Sequence, residues 1–388
     1  MKLHDAKRPV LIFGAGIHQA HAGPEARELA ELLQIPVALS WGARDLFPES
    51  NPLVIGGFGT HGTRAANFAV QNADYLLVVG CRLDTKATGT PANWFARAAH
   101  IVMVDIDGLE IDKMKYVGVE VEGIRTDAKA WLRERISWEK ERKSLDNEHG
   151  LEDLTPPSPW LRLCQDWKRR YPAVMPEYEQ EDGINPYVLV RALSRLCQPG
   201  EIIVSDTGCA LAWMMQAFEF KEGQRFLHPM NQTPMGYGLP AAIGAHYATG
   251  KRVICVTGDG SIMMSIGELA TIAGHKLPIK IMLLNNAGHA MCRQTQREWM
   301  GGTYPATSID GGLTFPDFYE TAKAFGFTYA ANLTNLLAFD GPVFHEAIIS
   351  HDADVVPKAR FGAANEDAYP PLPREVMEAE MIVPMVGA

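Results

Sequence analysis

The chain has 388 residues, of which 47% are apolar and 21% charged, enough to bury two ordinary cores. A formal charge of −10 with scattered Lys and Arg excludes a phosphate-neutralising surface, and no apolar run is long enough to span a bilayer, so neither nucleic acid nor membrane is an expected partner. The polar first residues lead into no cleavage-type segment and the six cysteines form no CxxC pair; a cytoplasmic protein with reduced, mostly structural thiols is expected.

From residue 9 the pattern is strand, turn, helix, repeated: "PVLIFGAG", then "PEARELAELLQ", then "IPVALS", "YLLVVG" and "HIVMVDID". Short continuous apolar runs alternating with helical stretches predict a parallel sheet covered on both faces. The "FGAG" turn is part of a dinucleotide fingerprint, but the third glycine and the acidic end of the second strand are absent, so a nicotinamide reading is weak. A charged amphipathic helix follows over about 126–147. Composition then changes to a polar, proline-bearing stretch containing one helical piece, "WLRLCQDWKRR". This predicts a first domain over 1–148, a linker over 149–184 and a second domain over 185–388.

The second half repeats the logic: helix "NPYVLVRALSRLCQ", strand "EIIVSDTG", strand "RFLHPM", helix "YGLPAAIGAHYA", strand "RVICVTGDG", helix "SIGELATIAGH", strand "IKIMLLNN" and a late strand "PVFHEAIIS". The α/β class with two consecutive doubly wound parallel-sheet domains is the predicted fold. The proline-broken tail "YPPLPREVMEAEMIVPMVGA" is expected to wrap a surface.

In such sheets ligands sit outside the carboxyl ends of strands, and "ICVTGDG" and "IMLLNN" both end there. An acidic residue at that edge would repel a phosphate by several kcal/mol in order of magnitude unless a cation lay between them. Asp259 therefore predicts a divalent metal, and magnesium fits an oxygen set drawn from Asp259, the Asn286 amide and a backbone carbonyl of "NNAGH", that of Gly288. Gly258 and Gly260 let backbone approach a diphosphate closely. Taken alone, "GDG" also reads as a plain tight turn.

Spacing and surroundings add to this. "GDGS", an amphipathic helix and a strand closing on "LNN" resemble the thiamine-diphosphate binding motif. "QTPMGYGLPAAIGA" and "ELATIAGHKLPIKIMLLNN" are similar to the same domain of acetolactate synthase and related thiamine-diphosphate enzymes. In the first half, "IGGFGTHGTRAANFAVQNADYLLVVGCRLDTKATG" and "VMVDIDGLEIDK" are similar to the central domain of that family, so the likeness covers nearly the whole chain. The resemblance implies that Asp259, Asn286 and the Gly288 carbonyl ligate magnesium. It also implies that Thr207, Gly208, Gly258, Gly260, Ser261, Asn286, Gly288, Ala290 and Met291 surround thiamine diphosphate. Met235 matches the bulky residue that props the cofactor in a bent form, bringing its aminopyrimidine against the acidic thiazolium carbon.

The implied activity is decarboxylation of a small 2-oxo acid and ligation of the remaining carbon unit to a second carbonyl, as an acetolactate or acyloin synthase does. A non-oxidative decarboxylase and a non-catalytic thiamine-diphosphate-binding regulatory subunit are the alternatives. Family members of this architecture have three domains, and the one binding the pyrimidine end carries a catalytic glutamate for which no segment upstream of residue 9 has room. The expectation is a split enzyme, a hetero-oligomer with a dimeric core in which a separate pyrimidine-domain subunit completes the site; a fragment of a longer gene is the rival reading.

His289 stands one residue beyond the carbonyl ligand and is a candidate proton donor or orienter. Gln294 is the second catalytic candidate; for it and for Gln296, capping the loop is the simpler use. His228 ends a strand near the same cleft, and Met263 and Met264 are expected in the core. Cys209 and Ala210 replace a Gln-His pair of acetolactate synthases, and Thr295 replaces a tryptophan lining their second-substrate pocket, leaving acceptor choice open. His61, Gly62, Arg82 and Asp84 match positions that hold a flavin in some members, but Lys86 replaces an arginine, so FAD is not favoured and an Arg82–Asp84 ion pair in a turn is the simpler reading.

Overall fold

The computed structural model describes residues 3–148 and 157–386. Its contacts divide the chain into two compact units: residues up to Pro172 together with those from Val356 onward, and residues Ala173–Val355. Residues 149–156 of the expected linker lie outside the described residues.

The first unit is built on a parallel sheet of β1 (Pro9–Phe13), β2 (Val37–Leu39), β3 (Val54–Gly57), β4 (Tyr75–Val79), β5 (His100–Asp105) and β6 (Glu122–Arg125), in the order β3-β2-β1-β4-β5-β6. Strands β1 and β4 are buried along their whole length because helices cover both faces, which is why they read as unbroken apolar runs. Two strands escape the sequence pattern: β3 is half glycine, and the edge strand β6 is polar and largely exposed. The order of connection reverses between β1 and β4. There Gly14 and Gly16 meet backbone: a Cβ on Gly16 would stand 2.7 Å from Gly80 Cα, and Gly16 N–H donates to Gly80 O at 2.9 Å. The glycines of "FGAG" are thus explained by close approach of two strand-end turns.

Two segments depart from the expected boundaries. The helical piece Pro159–Arg170, assigned to the linker, packs into the first unit, with Trp167 in its core and Trp160 Nε1 donating to Pro9 O at 3.0 Å. The tail, assigned to the second domain, straps the first unit instead. Ala359 N–H donates to Thr60 O at 2.7 Å, the Asn365 amide donates to Ala87 O at 2.9 Å, and Asn72 Oδ1 accepts Ile382 N–H at 2.7 Å. The physical reason is hydrogen bonding: buried polar groups of the tail find their partners on that unit.

The second unit carries β7 (Ile202–Ser205), β8 (Arg225–Leu227), β9 (Val253–Gly258), β10 (Ile279–Asn285), β11 (Thr328–Tyr329) and β12 (Val343–Ile348), all parallel, in the order β11-β12-β10-β9-β7-β8. Both units therefore have the predicted doubly wound α/β form. The expected helix "SIGELATIAGH" forms over Glu268–Gly274, and a further short helical piece, Asp259–Met263, precedes it. Connection order reverses between β7 and β9, so the ends of those strands form the crevice where a ligand is expected. No helix among the described residues is long and apolar enough to cross a membrane.

Candidate cofactor site

Strands β7 and β9 each run out into a buried aspartate. Asp206 Oδ1 accepts the N–H groups of Thr207 (2.8 Å) and Gly236 (3.1 Å), while Oδ2 accepts Gly238 N–H (2.8 Å) and the Thr257 hydroxyl (3.4 Å). One carboxylate thus ties the 236–238 turn to the ends of both strands. The sequence reading missed Asp206, although "IIVSD" ends its strand as "CVTGD" ends the next. Gly236 adopts φ +84°, and a Cβ there would come 2.7 Å from Met264 Cβ, so the turn presses on the segment following Asp259. That contact brings Met235 to Gly260, whose added Cβ would lie 3.4 Å from Met235 Cε and collide with the His289 ring. Met235, Gly260 and His289 form one cluster.

Asp259 is only 2% exposed. Its Oδ1 accepts Gly260 N–H at 2.7 Å, and its Oδ2 accepts the N–H groups of Asn286 and Gly288, each at 3.0 Å. Burial pushes its pKa up, against the three N–H donors and His289, which favour the carboxylate. Asn286 follows β10, is 7% exposed, and its buried Oδ1 meets no donor among the described residues. A buried acceptor left unmade costs about 1–3 kcal/mol, and a hard cation is the partner an amide oxygen beside a carboxylate suits. Among the described residues no group of three His, Cys, Asp or Glu forms a cage. Magnesium does not need one, since phosphate and water complete its octahedron. The residues present fit that ion.

Around this pair, Gly208 (φ +77°) and Gly258 face open space: a Cβ at either would meet nothing within 4 Å. Ser261 is buried on the piece that begins at Asp259, and Ala290 and Met291 open the helix Ala290–Trp299. Gly288 and His289 are held from the other side by the 307–308 segment, through a bridge of Gly288 to Ser308 and His289 N–H donating to Thr307 O at 3.0 Å. Cys209 and Ala210 start the buried helix Cys209–Ala217. Thr207, Gly208, Gly258, Gly260, Ser261, Asn286, Gly288, Ala290 and Met291 all belong to segments at or just beyond the ends of β7, β9 and β10, and Met235 reaches them through Gly260.

Other candidates are placed elsewhere. Gln294 is fully buried and forms a reciprocal pair with Val355, its Nε2 donating to Val355 O and its Oε1 accepting Val355 N–H, both at 3.2 Å. That is a structural use of its amide. Gln296 Oε1 accepts the Thr307 hydroxyl at 2.6 Å, which is the loop-capping use, and Thr295 turns its hydroxyl back to Met291 O at 3.0 Å. His228 is buried against Phe226, ring centres 4.9 Å apart. Met263 packs on the core, but Met264, expected there too, is 62% exposed where it closes the short helical piece Asp259–Met263. In the first unit Arg82 and Asp84 do form an ion pair, 2.5 Å apart. Lys86 Nζ lies over the Trp41 ring at 5.0 Å. His61 is held neutral, its pKa lowered to about 3 by burial and then by Lys358 and Lys86.

Fold and site together define a doubly wound α/β protein with a buried carboxylate and an unpartnered amide oxygen side by side at the strand ends of its second sheet. Residues 206–356 match the thiamine pyrophosphate enzyme C-terminal TPP binding domain, and residues 1–134 match the thiamine pyrophosphate enzyme central domain. The chain is 32% identical over 373 residues to the acetolactate synthase large subunit of Cyanidium caldarium, covering 94% of this chain and 61% of that protein. It is equally 32% identical over 375 residues to the acetolactate synthase isozyme 1 large subunit of Escherichia coli, covering 94% and 62%. With the acetolactate synthase large subunit of Parasynechococcus marenigrum the identity is 35% over 326 residues, covering 84% and 50%. The chain therefore spans about three-fifths, or less, of the length of these relatives. It belongs to the thiamine pyrophosphate enzyme family, carrying the central and C-terminal domains.

Proposed function

We propose that the chain is part of a thiamine-diphosphate- and magnesium-dependent enzyme that decarboxylates a small 2-oxo acid and joins the remaining carbon unit to a second carbonyl, as acetolactate synthases do. The observation that carries this is the buried, unpartnered Asn286 Oδ1 beside Asp259 at the ends of β9 and β10. Asp259, Asn286 and the Gly288 carbonyl would hold the metal. Gly258, Gly260 and Ser261 would meet the diphosphate, with Thr207, Gly208, Ala290 and Met291 around it and Met235 against its bend. When bound, the cofactor supplies a thiazolium electron sink for loss of carbon dioxide. His289, packed over Gly260, is the residue of this chain that would hold or donate a proton in the reaction. Gln294 holds its helix to Val355 and takes no chemical role.

The matched domains are the central and C-terminal ones, so the reading includes a pyrimidine-binding domain with its glutamate, supplied by another chain or another stretch of the gene product. Isothermal titration calorimetry tests the site: thiamine diphosphate binds with magnesium and not with EDTA, and Asp259→Ala and Asn286→Leu abolish that dependence. Magnesium-independent binding, or none at saturating cofactor, sinks the proposal. Product analysis on a panel of 2-oxo acids, with the pyrimidine domain added, separates ligation from simple release of an aldehyde.

A further inference from the structure

The loop that follows β10 is held from two sides by opposite charges. On one side Asp259 Oδ2 receives the N–H groups of Asn286 and Gly288. On the other side Arg293, 3% exposed, sends Nη2 to Asn286 O at 3.3 Å and Nη1 to Ala287 O at 3.4 Å, while Nη2 also donates to His351 O in the segment after β12. A buried cation needs compensation. Arg293 makes no salt bridge among the described residues; what balances it is carbonyl oxygen together with the nearby charges of Asp259 and Asp352. The Asn286 peptide groups therefore have N–H toward an anion and C=O toward a cation. With those groups fixed, the Asn286 backbone cannot turn its Cα–Cβ bond away from Asp259 without breaking a charge-assisted bond at one face or the other.

The geometry points to Arg293 as a positioning residue of the metal site: by gripping the Asn286, Ala287 and His351 carbonyls it holds the 286–288 loop so that Asn286 and Gly288 present oxygen to a divalent cation beside Asp259. The inference rests on the proposed function, which assigns those residues to the metal. Partners of this outer kind, when removed, cost roughly 10- to 100-fold in metal affinity. A lysine keeps the charge but not the planar fork that spans several carbonyls at once, so it does not substitute.

The test is titration of the chain with Mn2+ at fixed thiamine diphosphate, bound metal read by electron paramagnetic resonance, with the melting temperature of ligand-free protein recorded alongside. Arg293→Lys raises the Mn2+ Kd about 10- to 100-fold. The control is Lys280→Gln, which removes another buried cation that caps the Phe339 and Gly341 carbonyls from the opposite end of β10. It lowers the melting temperature and keeps wild-type Mn2+ affinity. Unchanged affinity in Arg293→Lys, or an equal loss in Lys280→Gln, overturns the inference alone. If Arg293→Lys and Arg293→Gln both melt below the assay temperature, the residue is a scaffold residue and the inference is overturned as well. Wild-type protein that binds no Mn2+ overturns the proposed function and this inference with it.

Discussion

Asp206 Oδ2 accepts the backbone N–H of Gly238 at 2.8 Å, and the same carboxylate holds Gly236, Thr207 and Thr257. All of its close contacts are donors, so Asp206→Asn sets an NH2 group against a donor whichever way the amide turns. The expected loss is about 2–4 kcal/mol, the cost of leaving buried donors unmet near a removed charge. Thermal or urea unfolding measures it. A change below about 0.5 kcal/mol, the ordinary effect of a surface substitution, contradicts the role given to this carboxylate.

Gly260 gives a sharper test of how the site is packed, because its missing Cβ is where the His289 ring lies. Gly260→Ala pushes the ring aside while leaving the fold intact, since a side-chain end can move more easily than backbone. Cofactor affinity is expected to fall about tenfold or more, equivalent to some 1.4 kcal/mol. The double variant Gly260→Ala, His289→Ala removes the collision and recovers part of that loss, and the coupling is read from a double-mutant cycle. Additive losses in calorimetry show that the two positions do not share space.

Much of this arrangement is legible in the sequence because its signals are local. Asp259 and Asn286 are marked by their place at the ends of two apolar strands, and every buried strand of four or more apolar-rich residues, from β1 to β12, is visible as a run. What escapes is set by distance along the chain. β11 is two residues long and exists through its pairing with β12. The tail's attachment to the first unit depends on partners more than two hundred residues away, such as Trp167 for Glu380. Gln294 carries the same polar amide whether it meets substrate or Val355, and only the fold decides between them.

That decision is measurable. Gln294→Leu keeps the side chain's size and removes the reciprocal pair with Val355, leaving one buried donor and one acceptor unmet. Stability is expected to fall by about 1–3 kcal/mol, with the proposed turnover, assayed with the pyrimidine domain added and well below the melting temperature, within a few-fold of wild type. A proton-transfer residue would instead lose roughly 10²- to 10⁴-fold in rate. Such a loss at unchanged stability would return Gln294 to the chemistry.

Glu380 anchors the tail and gives the first unit an acid-sensitive joint. Its carboxylate accepts Trp167 Nε1 and the Tyr171 hydroxyl, each at 2.7 Å, and both η nitrogens of Arg170. The Arg170 bond above all, then the Tyr171 and Trp167 bonds, hold its pKa down to about 2 from the ordinary 4.5, against the opposing effect of burial. A lowered value means that the folded state favours the ionised form, so this stabilisation is complete above about pH 4.5 and drains away as pH falls toward about 2. Glu380→Gln, which leaves the Arg170 guanidinium with Asp166 as its remaining carboxylate, is expected to lower stability at pH 7 by about 1–3 kcal/mol. The gap between wild type and variant should then narrow steadily between pH 4.5 and pH 2, because protonated wild type resembles the amide. Urea unfolding at a series of pH values checks this; a gap that stays constant down to pH 2 means that the charge of Glu380 does not hold the tail.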